Sequence, residues 1–312
     1  MALPSTLSSP VGSGQGHLTC RGQANSITVK AALDATPCMN CPLYDAHNHL
    51  QDPRLAPHLE AVLAAVRCEN MVKMVVNGTC ESDWPEVLEL ARKCPEVIPS
   101  FGCHPWYVKE LTPDWQKALL RCVEAVPSAI GEVGLDRWIK DHDLELQERV
   151  FVWQWRLAAE RDLPVSIHCL QAWGRLLEIL RTEPRPRCGF LLHSYGGPQE
   201  MVPPLAELGA YFSLPGYFAH ERKARQREAF RAVPLDRLLI ETDAPDQVLP
   251  PERCRYPLCD VQTGKAINHP GNLGAVYQFA AKLLNEPIEA LALRVEDNFQ
   301  RLFGAVAKAA VR

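Results

Sequence analysis

At residues 43–49 the sequence reads LYDAHNH, a short apolar run that ends in two histidines. Four later runs likewise carry a histidine or a carboxylate at or near their end: AIGEV (129–133), PVSIH (164–168), GFLLH (189–193) and RLLIETD (237–243). Histidine and carboxylate side chains are common ligands of divalent metal ions at active sites. Their repeated position predicts one metal centre to which several strands contribute.

These runs belong to a regular alternation of apolar and helix-like segments. The runs at 43–47, 71–76, 97–101, 129–133, 164–168, 189–193, 209–213 and 237–241 are eight strand candidates. The clearest helix candidate is 145–161, where apolar residues recur on one face. Such alternation indicates parallel strands joined by crossover helices. A (β/α)8 TIM barrel is favoured over a doubly wound open sheet, because a barrel brings all the strand ends to one mouth.

Composition divides the chain of 312 residues into two parts. Residues 1–40 are rich in Ser, Thr, Gly and Pro and lack apolar periodicity, which predicts a disordered N-terminal extension. A transit peptide is the alternative interpretation of this acid-poor segment. Residues 41–312 are expected to form a single barrel domain. The Pro-rich segment 246–271 predicts a long loop after the eighth strand, and 272–309 predicts two or three outer helices.

Charge and hydropathy limit the classes of function. No apolar run approaches the roughly 20 residues needed to cross a bilayer, so a membrane protein is not expected. The net charge of −4 provides no overall attraction to nucleic acid. A bound polyanion would therefore need the metals or a local basic patch, for which 221–231 and 181–187 are candidates.

The twelve cysteines are too sparse for a disulfide scaffold. Cys38 and Cys41 have the spacing of a zinc-binding pair, and Cys254 and Cys259 could supply a second pair. Free thiols in loops are the simpler interpretation of these pairs. Most of the other cysteines lie inside apolar or helical patterns and are expected to be buried, reduced thiols, which favours a cytoplasmic or otherwise reducing location.

The metal-ligand candidates are His47, His49, Glu132, His168, His193 and Asp243. Because residues i and i+2 of a strand point to the same side, His47 and His49 can reach one ion. Asp45 shares that face and is expected to orient an imidazole. Glu132 lies within a strand that reads as buried, so its carboxylate needs a cation. Asp136 comes too late to share the face of this strand and is expected to be a loop acid near the substrate or a structural cap.

The number of candidate ligands favours two metal ions over one. A single catalytic zinc uses three protein ligands and leaves a position for water, whereas this set has four imidazoles and two carboxylates. Glu132, from the middle of the series, is the natural bridge between two ions. Asp243 could both bind metal and accept a proton from water, and Glu132 and Asp243 are therefore the expected catalytic residues.

Together, these residues resemble the TatD-family metal-dependent deoxyribonucleases, which are amidohydrolase-like barrels. The resemblance covers about 43–305 and rests on ordered motifs: DAHNHL (45–50), GCHPW (102–106), GEVGLD (131–136), SIHC (166–169), LLHSYGG (191–197), ETDAP (241–245), NHPGNL (268–273) and EDNFQRLF (296–303). Each motif alone is weak, but the ordered set is specific.

The resemblance implies a site and a substrate. His47, His49, Glu132 and Asp243 would hold one divalent ion, and Glu132, His168 and His193 the second, with Mg, Mn or Zn as the metal. His104 would contact the substrate phosphate. DNA is the expected substrate and partner, cleaved at phosphodiester bonds. Hydrolysis of an amide, lactone or ester, including an aminoacyl-tRNA ester, remains a second hypothesis, and a non-catalytic metal-binding barrel a third.

Overall fold

The computed structural model describes residues 41–309, so the predictions made for residues 1–40, including Cys38, lie outside the described part of the chain. Eight parallel strands form one sheet in sequential order. They are β1 (Leu43–Asn48), β2 (Met71–Asn77), β3 (Val97–Phe101), β4 (Ala129–Asp136), β5 (Val165–Leu170), β6 (Phe190–Leu192), β7 (Ala210–Pro215) and β8 (Leu238–Glu241). Each overlaps one of the predicted runs, and the prediction of a parallel α/β barrel is confirmed.

Helices follow the strands and cover the outside of the barrel. They are α1 (Leu59–Cys68), α2 (Trp84–Lys93), α3 (Trp115–Ala125), α4 (Leu144–Arg161), α5 (Trp173–Thr182), α6 (Val202–Glu207), α7 (Ala224–Arg231), α8 (Leu273–Leu284) and α9 (Ile288–Ala309). No helix among these described residues is long and apolar enough to span a bilayer. The segment after β8 is less irregular than predicted, because it contains a small antiparallel pair, β9 (Leu258–Cys259) and β10 (Ala266–Ile267).

Strands β1, β3, β4, β6, β7 and β8 are buried along their whole length, as expected for parallel strands covered on one face by helices and filled on the other by side chains. The barrel closes where the ends of β8 and β1 meet. The backbone N–H of Asp243 donates to the His47 carbonyl (2.9 Å), and that of His49 donates to the Ala244 carbonyl (2.8 Å). These two bonds place the residues that follow β8 directly beside the histidines of β1.

Candidate metal centre

All six predicted ligands meet at the carboxyl ends of five strands. His47 belongs to β1 and Glu132 to β4, while His168 belongs to β5; His193 directly follows β6. His47, Glu132, His193 and Asp243 are buried, and the side chains of His49 and His168 are each 12 % exposed. Parallel strands that end at one barrel mouth thus bring together residues that are nearly 200 positions apart.

One group of donor atoms consists of His47 Nε2, His49 Nε2, Glu132 Oε2 and Asp243 Oδ1. Glu132 Oε2 lies 3.4 Å from His47 Nε2 and 3.2 Å from His49 Nε2. Asp243 Oδ1 lies 3.6 and 3.5 Å from the same two nitrogens, which are 3.3 Å apart. Four ligands at about 2.1 Å from a tetrahedral ion are separated by about 3.4 Å. The group therefore has the spacing of a metal site.

A second group gathers around the other oxygen of the same carboxylate. Glu132 Oε1 lies 3.0 Å from His168 Nδ1 and 2.8 Å from His193 Nε2, and these two nitrogens are 3.3 Å apart. The two oxygens of Glu132 thus face different pairs of histidines. This is the arrangement that a carboxylate bridge between two ions requires.

Hydrogen bonds on the far sides of the rings indicate which nitrogen is free to bind metal. His49 Nδ1 lies 2.8 Å from the Asn77 carbonyl oxygen, which only accepts, so Nδ1 carries the proton. His168 Nε2 lies 3.0 Å from Asp136 Oδ2 and is protonated for the same reason. In the neutral rings the lone pairs are then on His49 Nε2 and His168 Nδ1, the atoms that face Glu132.

His104 also reaches this centre, but the ring nitrogen that it presents carries a proton. Its Nε2 lies 3.3 Å from Glu132 Oε1, and its Nδ1 accepts the backbone N–H of Trp106 (3.2 Å). Burial lowers the pKa of His104 to about 4, so the ring is neutral. With Nδ1 accepting, the single proton lies on Nε2, which is therefore a donor and not a lone pair.

The charges of the site attract a cation. Burial alone would raise the pKa of Glu132, but the surrounding imidazoles, first His193 and then His104, hold it well below its usual range. Burial would likewise lower the pKa of His49, yet hydrogen bonding to Asp243 and Glu132 raises it well above the ordinary value. Ionised carboxylates are thus held in a buried site, where positive charge must balance them.

The structure corrects the prediction for Asp136. Strand β4 continues to this residue, which is fully buried and faces the site. Its Oδ2 accepts from His168 Nε2 and from the indole N–H of Trp106 (2.7 Å). At Gly134 a Cβ atom would lie 1.9 Å from the His168 carbonyl oxygen, so only glycine allows β4 to approach β5 this closely. The GEVGLD motif therefore supplies both a ligand candidate and the residue that orients His168.

The prediction that Asp45 orients an imidazole is wrong. Its carboxylate accepts from the backbone N–H (3.0 Å) and the hydroxyl (2.6 Å) of Thr242, and from the Asn48 side chain (3.1 Å). Its contact with His47 is to the backbone N–H, at 3.3 Å. Asp45 thus joins β1 to the end of β8 and fixes the backbone on which His47, His49 and Asp243 stand.

Glu241 is the last residue of β8 and contacts the serine that follows His193. It is fully buried and accepts hydrogen bonds from the hydroxyls of Ser194 and Ser213. Its Oε1 lies 3.8 Å from His193 Nδ1, which is beyond hydrogen-bonding distance. The side-chain amide of Gln247 also donates to Ser194 and to Asp243 Oδ2 (2.5 Å for Asp243). These contacts link the residues after β6 to those after β8.

The centre lies in a cavity of about 1100 Å³. Its lining includes candidate ligands and, from the surrounding loops, Trp106, Tyr107, Tyr217 and Lys223. Pockets of about 300–1,000 Å³ commonly hold small organic ligands, so this one is large enough for a substrate of at least that size.

The sequence profile of the TatD related DNase family matches residues 44–304. The chain belongs to the TatD related DNase family. It is a metal-dependent hydrolase of that family, and the resemblance stated from its motifs is confirmed.

Relatives within the TatD family are similar over nearly their whole length. The uncharacterized metal-dependent hydrolase YjjV of Escherichia coli K12 is 28 % identical over 85 % of this chain and 99 % of its own. A protein named 3'-5' ssDNA/RNA exonuclease TatD, from Erwinia tasmaniensis, is 32 % identical over 84 % of this chain and 99 % of its own. The crystal structure of YjjV covers 85 % of this chain and 98 % of its own, with a TM-score of 0.76 and 27 % identity.

The two basic segments of this TatD-family chain differ in their position relative to the cavity. In 221–231, Lys223 lines the cavity, but Arg227 donates to the backbone carbonyls of Phe218 and His220. In 181–187, Arg187 pairs with Asp162, which precedes β5 and so lies at the end of the barrel away from the metal-ligand candidates. The second segment therefore does not face the mouth.

The thiols do not join the candidate metal centre. Cys41 and Cys254, which belong to the two predicted pairs, are free thiols. In this part of the chain, no cluster of three candidate ligand atoms includes a cysteine. The Cys254 thiol accepts instead from the Asn272 side chain (3.7 Å).

Proposed function

We propose that this chain is a nuclease that hydrolyses phosphodiester bonds of DNA at a centre of two divalent ions. The carrying observation is Glu132, whose two oxygens each face a separate group of donor atoms. His47, His49, Glu132 and Asp243 would hold the first ion, and Glu132, His168 and His193 the second. Mg, Mn and Zn are the candidate metals.

When bound, such ions would activate water and balance the charge that develops on the phosphoryl oxygens. Asp243 is the proposed proton acceptor. Its Oδ2 is held by the Gln247 amide, while its Oδ1 faces the first group. The water oxygen would form a bond to phosphorus, the bond to the leaving sugar oxygen would break, and the proton of the water would pass to Asp243.

His104 is proposed to contact the substrate phosphate. Because its Nε2 is a donor, it is unsuited to bind an ion but suited to donate to a phosphate oxygen. Its position supports this role, because Nε2 lies 3.3 Å from Glu132 Oε1 and therefore beside the candidate metal ligands.

DNA as the substrate is supported by the DNase activity after which the family is named and by relatives named as exonucleases acting on single-stranded DNA and RNA. The test uses metal-depleted protein, reconstituted in turn with Mg, Mn and Zn, and single-stranded DNA and RNA labelled at either end. The matched variant is Asp243→Asn, which keeps the shape of the side chain. We expect cleavage by the native protein and a loss of at least about 100-fold in the variant.

Two results would overturn the proposal. One is equal cleavage by the native protein and Asp243→Asn. The other is an absence of cleavage with every metal, together with hydrolysis of a carboxylic ester or lactone that depends on Asp243. Metal analysis of the purified protein separately counts the ions, and two per chain are expected.

A further inference from the structure

Three large apolar side chains are exposed around one buried carboxylate at the rim of the cavity. Within residues 41–309, the exposed large apolar residues are Trp106 (45 %), Trp138 (64 %), Leu170 (36 %), Val261 and Leu293. The first three residues are each joined to Asp136, Trp106 and Trp138 by a hydrogen bond and Leu170 by the register of the strands. We call Trp106, Trp138 and Leu170 the rim surface.

Asp136 holds the rim surface in place. Its Oδ2 accepts from the Trp106 indole, and its Oδ1 accepts from the backbone N–H of Trp138 (2.6 Å). It also pairs with Leu170 in the register of β4 and β5, and the next backbone N–H, of Arg137, donates to the Leu170 carbonyl (3.0 Å). The same carboxylate orients His168. The rim surface is therefore in fixed register with the candidate metal centre.

The rim surface is close to the proposed scissile bond. The Trp106 ring lies edge-on to His104 and to His168, with centroids 5.1 and 6.4 Å apart. Trp106 and Leu170 line the cavity, and the backbone N–H of Trp138 is bonded to the carboxylate that holds Trp106. A group resting on this surface would be a direct neighbour of a phosphate at the donor groups.

The chemistry of the rim surface fits an unpaired base of a polyanion. Arg137 and Lys140 are exposed beside Trp138, and neither forms an ion pair with the described residues. Proteins that hold single strands combine aromatic side chains, on which bases stack, with basic groups that follow the phosphates. In a duplex the bases are stacked on each other and their faces are not available.

We propose that the rim surface is a stacking site for an unpaired nucleobase next to the scissile phosphate, with Trp138 as its principal contact. The site would select single strands over duplexes. This inference rests on the proposed function for the position of the phosphate, but its binding step is measurable without cleavage.

The test uses Trp138→Ala because this side chain makes no hydrogen bond or ring contact with the other described residues, whereas Trp106 bonds to Asp136. Trp138→Phe keeps an aromatic face. Leu293→Ala, on the outer helix α9, is the matched control for loss of an exposed apolar side chain. Binding is measured by fluorescence anisotropy in Asp243→Asn protein, so that a labelled oligonucleotide stays intact.

The ligands are one single-stranded oligodeoxynucleotide, the same strand with an abasic residue moved stepwise from the end, and the corresponding duplex. Stacking on one aromatic side chain changes affinity by about 5-fold to about 150-fold. We expect Trp138→Ala to weaken binding of the intact strand by a factor in this range. The abasic residue should weaken binding to a similar extent at one position only, and Trp138→Ala should abolish that positional effect. Trp138→Phe should retain most of the affinity.

A kinetic measurement separates a stacking contact from a structural role. In protein with native Asp243, Trp138→Ala should raise KM far more than it lowers kcat, and metal content should be unchanged. Equal affinity of Trp138→Ala and Leu293→Ala for the single strand would overturn the inference. So would a positional effect of the abasic residue that persists in Trp138→Ala. A loss of metal or a change in self-association in Trp138→Ala would also overturn it, because either would indicate a structural role. Binding without cleavage would overturn the proposed function alone, and cleavage unaffected by Trp138→Ala would overturn this inference alone.

Discussion

His168 donates through Nε2 to Asp136 at 3.0 Å, while its Nδ1 faces Glu132, also at 3.0 Å. The ring is thus held between a carboxylate that fixes its proton and a carboxylate that would share its metal. Such an outer carboxylate raises the basicity of a ligating imidazole. Its loss commonly lowers metal affinity by about 10- to 100-fold.

Asp136→Asn is expected to weaken binding at the second donor group by about 10- to 100-fold and to leave the first group nearly unchanged. The amide has no negative charge to stabilise the proton on His168 Nε2. Competition with a chromogenic chelator measures both affinities. Asp141→Asn, an exposed residue of the following loop, is the matched control. Equal weakening at both groups would contradict this assignment.

Removal of His104 should lower activity without removing metal. His104→Ala loses the proposed donor to the phosphate, so cleavage is expected to fall by about 100- to 1,000-fold. His168→Ala, by contrast, should lose one ion. Elemental analysis of both variants, loaded under identical conditions, distinguishes them. Loss of an ion from His104→Ala would show that the ring is a ligand.

Removal of Asp45 should destabilise the closure of the barrel. Asp45→Ala leaves the buried N–H and hydroxyl of Thr242 and the Asn48 amide without their acceptor. We expect the free energy of unfolding to fall by about 2–4 kcal/mol. Urea denaturation of the metal-free protein measures this loss. Asp297→Ala, at an exposed position of α9, should change it by less than about 0.5 kcal/mol.

The burial of His269 is expected to make the free energy of unfolding fall at acid pH, independently of the metal centre. Its Nδ1 accepts the Gly271 backbone N–H (2.8 Å), and burial, with a smaller effect of His58, lowers its pKa to about 4. Because the unfolded value is near 6.5, the unfolded chain binds more protons between these values, and stability falls as the pH is lowered through this window. The contribution between pH 7 and 5 is about 2 kcal/mol.

His269→Asn retains an acceptor for the Gly271 N–H but does not titrate, so its stability should depend less on pH in this interval. Urea unfolding of metal-free protein at pH 7 and pH 5 makes the comparison. His142→Asn is the control, since His142 is exposed. If both variants change with pH as the native protein does, the lowered pKa of His269 does not contribute.

Periodicity alone located the eight strands, because each is short, apolar and bounded by polar or helical sequence. It also located His47, His168 and His193, since parallel strands in a barrel all end at one mouth. These inferences need only local pattern and general topology. They do not depend on which strands are neighbours or on the register between them.

Asp136 and Asp45 were misplaced because their roles depend on that register. The predicted strand ends at residue 133, whereas Gly134 permits a close approach to β5 and the strand continues to Asp136. Asp45 lies on the same face of the predicted strand as the candidate ligands His47 and His49. Its partner, however, is Thr242, which is 197 positions away at the closure of the barrel. The protonated atom of His104 depends likewise on a backbone contact that no spacing in the sequence reveals.

Glu132 has a consequence for how the centre would fill. A single carboxylate that serves both donor groups ties their occupancies together: the first cation to arrive would withdraw electron density from the bridge and repel the second across a gap of about 4 Å. Half-filled protein should then accumulate at scarce metal. Activity would then follow the filling of the second, weaker site, so that the enzyme would gain activity only at metal concentrations well above those that fill the first site.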